Sequence, residues 1–132
     1  MIRGIDHITL IVADLAATQH FYESVLGMEK LARPAFDFEG LWMAVPGIQL
    51  HFILQNDLTG PAGLQHRAGG RPSRHLHFAF QVDDFAAACA RIEQAEVRIL
   101  DGPKSRPDGI RQLFIADPDD YVLELCDAVV IE

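Results

Sequence analysis

Three observations predict an α+β chain of two tandem β-α-β-β-β modules. "HITLIVADLAA" begins at His7 and "HFAFQVDDFAA" at His77, so one pattern recurs after 70 residues (77 − 7). In each copy an alternating apolar stretch leads to an Asp and then to Ala-Ala, as a strand followed by a capped helix would. After each copy come short apolar runs divided by turn residues, which read as further strands.

The first copy predicts a strand over 5–12, rich in β-branched residues. Asp14 is a helix N-cap, and the helix runs to about Leu26, with Gly27 as its stop. Strands follow near 29–33, 39–45 and 48–54, the last two joined by a Pro46–Gly47 turn. The second copy predicts a strand over 76–82, a helix over 85–95 capped by Asp83 or Asp84, and strands near 97–100, 111–116 and 121–126. "DPDD" at 117–120 turns the last hairpin. Between the copies, "NDLTGPAGLQHRAGGRPS" has no periodicity and much Gly and Pro, as a linker or loop has. Module one therefore covers about 1–56, the linker about 57–73 and module two about 74–132.

The chain has 132 residues, 49% of them hydrophobic, enough for one ordinary domain. A half of about 66 residues is marginal alone, so the two modules are expected to share a core over 1–132. A net charge of −8 argues against nucleic acid and anionic membranes as partners. No apolar run approaches the roughly 18 residues of a membrane span. "MIRGIDHITL" enters the strand pattern without a charged-then-apolar leader, and Cys89 and Cys126 make no disulfide framework. A cytoplasmic protein is expected.

His7 and His77 hold equivalent places in the repeat. His51 in "QLHFI" and Glu124 in "VLELC" do so as well, 73 residues apart (124 − 51). A carboxylate in an apolar strand needs a partner. A salt bridge to Arg74, Arg98 or Arg111 would supply one. A metal would supply another, since three imidazoles and a carboxylate form a reasonable first shell for one divalent Zn, Ni, Co, Fe or Mn ion. His75 would share the His77 strand face but lacks the match to His7. His20 falls opposite its helix's apolar stripe, and His66 lies in the linker. Arg67, Arg71 and Arg74 cluster near the linker, either to hold a substrate anion or to keep a loop solvated. Trp42, Phe36, Phe38 and Phe52 either line an apolar pocket or belong to the core, with Trp42 the candidate substrate contact. Cys126, two residues after Glu124, reads as a buried inert thiol.

"DHITLIVADLAATQHFYESVLGM" at 6–28 and "FIADPDDYVLEL" at 114–125, with the repeat, resemble the vicinal oxygen chelate superfamily. That group includes glyoxalase I, methylmalonyl-CoA epimerase, extradiol dioxygenases, fosfomycin-resistance enzymes and bleomycin-binding proteins. The resemblance implies a cupped mixed sheet around one divalent metal, with ligands from the first and fourth strands of each module: His7, His51, His77 and Glu124. Glyoxalase I commonly has Glu at the position of His51, and many extradiol and fosfomycin enzymes use only the equivalents of His7, His77 and Glu124. The family's last turn usually has Gly where this chain has Asp120, a residue that tolerates a left-handed backbone.

The resemblance implies a lyase, isomerase or epimerase working through a metal-stabilised enolate, on a small carbonyl compound or a glutathione or other thiol conjugate. Glu124 would be the base and His51 a second proton carrier. The alternatives are an extradiol-type Fe(II) dioxygenase and an antibiotic-resistance protein, either a thiol transferase or a drug binder without chemistry. A homodimer is expected, because relatives cover the sheet's edges and apolar face with a partner chain.

Overall fold

The computed structural model describes residues 1–64 and 69–128. The chain divides into two compact units, Met1–Gly63 and Leu64–Glu132. In the first, β1 (His7–Val12) leads to α1 (Leu15–Gln19), a π-helical turn (His20–Val25), β2 (Glu29–Leu31), β3 (Gly40–Val45) and β4 (Ile48–Leu54). The second opens on a 3₁₀ turn (Pro72–Arg74). It continues through β5 (His77–Val82), α2 (Phe85–Gln94), β6 (Ile99–Ser105), β7 (Arg111–Ala116) and β8 (Val122–Asp127). The sheet orders are β1-β4-β3-β2 and β5-β8-β7-β6, so the same β-α-β-β-β connectivity is used twice. In each sheet the first strand pairs parallel with the fourth and the remaining pairs are antiparallel.

Both helices start where an Asp ends the preceding strand. Asp14 and Asp84 sit in extended backbone, and each accepts a hydrogen bond from the backbone N–H three residues on, Ala17 at 2.9 Å and Ala87 at 3.0 Å. The single α-helix expected over 15–26 is corrected: five α-helical residues give way to a π-helical turn. In that turn the Leu26 N–H donates to the carbonyl of Phe21, five residues back. The wider turn reduces the angle between successive side chains, which lets the neighbours Phe21 and Tyr22 both be buried along with Thr18 and Val25. Gly27, at φ 76°, ends the segment as expected.

Strand alternation sorts the residues of the first unit. Leu10, Val12, Leu41, Met43, Leu50 and Phe52 are buried, and the Tyr22 ring packs 4.6 Å from that of Phe52. His7, Trp42, Gln49 and His51 lie on the other face. In the second unit β7 and β8 are buried on both faces, and α2 contributes Phe85 and Ile92 to the core. Strand β6 extends well past the expected 97–100, because the Gly102–Pro103 pair hides it from pattern reading. It is an edge strand with register shifts, where a proline costs no ladder bond. Gly102 has φ 94°, and a Cβ there would meet the Gln112 carbonyl at 2.7 Å. Asp120 takes φ 64° in the final turn, where the Asp117 carboxylate accepts from the N–H groups of Asp119 and Tyr121.

Candidate metal centre

The two units place their candidate ligands in the same register. His7 pairs with Gln49 across β1 and β4, and His51 lies two residues beyond. His77 pairs with Val122 across β5 and β8, and Glu124 lies two residues beyond. Each unit thus carries one diagonal pair on one sheet face, His7 with His51 and His77 with Glu124. Among the described residues, no three His, Cys, Asp or Glu side chains gather into a metal-holding group.

The histidine tautomers follow from their partners. Nδ1 of His7 lies 2.8 Å from a carboxylate oxygen of Asp6, an acceptor only, so Nδ1 carries the proton. Nδ1 of His77 likewise donates to the backbone carbonyl of His75 at 2.8 Å. In both rings Nε2 then holds the lone pair, an orientation that a second partner commonly fixes in metal-binding histidines.

His51 is held differently. Its ring is stacked between His7 and Trp42, with centroids 4.0 Å away on either side and interplanar angles of 14° and 4°. Its Nε2 donates to Oε1 of Gln49 at 2.9 Å. Burial, with the His7 ring beside it, holds His51 below the ordinary imidazole range; Asp6 opposes this and Arg33 adds to it. An imidazole binds a metal in its own ring plane, at about 2.0–2.1 Å for zinc. One ion cannot lie in the planes of two stacked rings, so His7 and His51 do not converge on a common ion in this arrangement.

Glu124 is 4% exposed, and its carboxylate accepts a 2.6 Å hydrogen bond from Nε2 of Gln112, which is 9% exposed. The arginines that could have formed a structural salt bridge are engaged elsewhere or exposed. Arg111 grips Asp127 with two nitrogens, Arg98 pairs with Asp120, and Arg74 is exposed in the 3₁₀ turn. Among the described residues Glu124 has no ion pair. Phe114, its cross-strand neighbour, packs edge-on against His77 with centroids 5.5 Å apart.

The remaining candidates separate. Arg67 and His66 lie outside the described residues. Arg71 is exposed, as are Arg74 and His20. Phe52 is core, whereas Phe36 and Phe38 stack on one another with centroids 5.1 Å apart and the Arg33 guanidinium lies against the pair. Cys126 is buried, donates to the Phe80 carbonyl at 3.6 Å, and has its thiol pushed up by burial and then by Glu124. Sequence reading missed Asp6, Gln49 and Gln112. Gln112 alone left a signal, a polar residue inside the apolar run "RQLFIA".

Residues 4–125 match the family model described as "Glyoxalase/Bleomycin resistance protein/Dioxygenase superfamily". The chain is 25% identical to Glyoxylase I 4 of Arabidopsis thaliana over 96% of its own length and 71% of the relative's. It is 27% identical to metallothiol transferase FosB of Lysinibacillus sphaericus (93% and 81%) and 30% identical to glutathione transferase FosA of Serratia marcescens (95% and 81%). Among solved structures it resembles a glyoxalase/dioxygenase from Nostoc punctiforme, with a TM-score of 0.75 and 25% identity over 97% of this chain and 92% of that one.

Proposed function

The chain belongs to the Glyoxalase/Bleomycin resistance protein/Dioxygenase superfamily, and from that premise we propose that it is a divalent-metal-dependent enzyme acting on a small molecule. The observation that carries the proposal is Glu124, a buried carboxylate hydrogen-bonded to a neutral amide and in no ion pair among the described residues; Arg106, which acts on it through space, is itself paired with Asp108. Such a charge calls for a positive partner, and a metal ion held with Nε2 of His7 and His77 supplies one. The donor chemistry of these three residues suits such an ion, whereas His51 offers a donor only after leaving its stack. When bound, the ion would polarise the substrate's oxygens and stabilise the enolate left by proton loss. Glu124 then takes the proton from the carbon beside the substrate's carbonyl, while Gln112 keeps the carboxylate aimed. This is lyase, isomerase or epimerase chemistry, and the relative named Glyoxylase I 4 supports a glyoxalase-type reading. A small carbonyl compound or thiol conjugate is the proposed substrate, and a cytoplasmic homodimer the proposed form.

A second reading, metal-assisted thiol transfer, is favoured by the stacking of His51. The three remaining residues are the set the resemblance assigns to fosfomycin enzymes, and FosB and FosA are relatives. Protein purified without chelators should carry about one divalent ion per chain, and His77→Ala should lose most of it while keeping the fold. No binding above background from any of several offered metals would sink both readings. Metal-loaded protein offered hemithioacetals, acyl-CoA thioesters, epoxides with thiols, and catechols with oxygen uptake recorded would separate the reactions.

A further inference from the structure

Arg33, in the segment between β2 and β3, makes no ion pair with any described residue, although Asp37 and Glu39 lie close along the chain. Its guanidinium carbon sits 4.9 Å from the ring centres of both Phe36 and Phe38. Its Nη2 is buried without a hydrogen-bond partner. The group rests on Gly40, where a Cβ would come within 2.8 Å of both Nε and Nη2. The missing side chain of Gly40 is thus the space the guanidinium occupies. The site opens on a groove of about 430 Å³, lined by Arg33, Phe36, Phe38 and Gly40 with Asp37 and Glu39. Phe36 is 47% exposed and lies 6.3 Å from Trp42, the ring stacked on His51. A strip of rings therefore runs from Arg33 through Phe36 and Trp42 to His51 and His7.

We infer that Arg33 anchors the carboxylate of a substrate with a planar, apolar body, which lies along Phe36 and Trp42. Phe36 and Phe38 stack on one another with centroids 5.1 Å apart, and a guanidinium packed against such a pair is weakly hydrated and preset to bind a carboxylate through two nitrogens. Phe36 is the exposed ring of the stacked pair and yields to the incoming anion, which gives the orphaned Nη2 its acceptor. Asp37 and Glu39 in the same groove repel a second negative charge, so a monoanion is preferred to a phosphate dianion. The site deepens the metal-enzyme reading by fixing the far end of the substrate, yet binding at Arg33 needs no metal.

Trp42 is the chain's single tryptophan, so its fluorescence reports the strip directly. Chelator-treated protein is titrated with phenylglyoxylate, phenyl phosphate and neutral acetophenone. Phenylglyoxylate should change the emission saturably and bind at least about tenfold tighter than either of the others. Arg33→Ala should weaken it by about tenfold or more, and Arg33→Lys by less, since the charge stays while the fork is lost. Circular dichroism and melting establish that the variants fold. If acetophenone binds as tightly, if Arg33→Ala keeps wild-type affinity, or if no saturation occurs below about 10 mM, the inference is overturned. Metal content of Arg33→Ala, read separately, stays at the wild-type level if the metal reading holds, so the two failures are distinct.

Discussion

At the scale of single residues, the ring stack and the buried carboxylate make different demands. If His51 stays between His7 and Trp42, it holds no metal. His51→Ala should then keep metal affinity within a few-fold, while His77→Ala abolishes it; equal losses in calorimetric titrations would restore His51 to the ligand set. Glu124→Gln keeps the shape and an oxygen donor but no basic carboxylate. Compared at equal metal occupancy, it should lose turnover by about 10²–10⁴-fold if Glu124 moves the proton. Near wild-type turnover would move that role elsewhere, with His51 next in line after leaving its stack. The positions of His7, His51, His77 and Glu124 in the strands were legible because two copies of one pattern carry them at matched places. The state of His51 was not. Whether an imidazole stacks on a neighbouring strand's indole depends on rotamers across β3 and β4, and a linear pattern holds no information on them. Gln112 was obscured for a related reason: its meaning lies in the cross-strand partner twelve residues away (124 − 112).

At the scale of elements, local chemistry was legible wherever a single residue type dictates geometry, as at Asp14, Gly27 and Asp120, while the second helix cap was narrowed to Asp83 or Asp84 and proves to be Asp84. It failed where packing overrode propensity, in the π-helical turn after Gln19, and where a Gly-Pro pair sits inside a strand, in β6. The ends of β7 and β8 are tied by Arg111 and Asp127. The Asp127 carboxylate accepts from Nε and Nη2 of Arg111 at 3.0 and 2.8 Å, and from the Arg111 backbone N–H at 2.8 Å. These bonds, the Arg111 side chain's first, hold the Asp127 carboxyl below its ordinary range. A group whose pKa is depressed on folding contributes stability above its unfolded pKa and loses it as pH falls through the folded one. Asp127→Asn should therefore melt below wild type at neutral pH, and the gap should close as pH falls below the ordinary aspartate range. A gap that is constant down to strongly acidic pH would show that the pair acts through packing instead of charge.

At the scale of the whole molecule, each unit closes its own four-stranded sheet and supplies one half of the proposed ligand set. Two such chains can complete the set within each chain or by exchanging modules, and in either case we expect a homodimer of about 29 kDa, twice the 14.7 kDa chain. Sedimentation showing a monomer at tens of micromolar would overturn that expectation. The source of the ligands then follows from mixing two inactive variants, His7→Ala and His77→Ala, after unfolding and refolding together. If each site lies within one chain, every site in the mixture lacks one ligand and no metal returns. If modules are exchanged, each mixed dimer holds one site lacking both histidines and one site lacking neither. Random pairing makes half of the dimers mixed, so a quarter of the wild-type metal content should return, and activity with it. The wild-type chain taken through the same refolding sets the full value, so incomplete refolding cannot imitate either result.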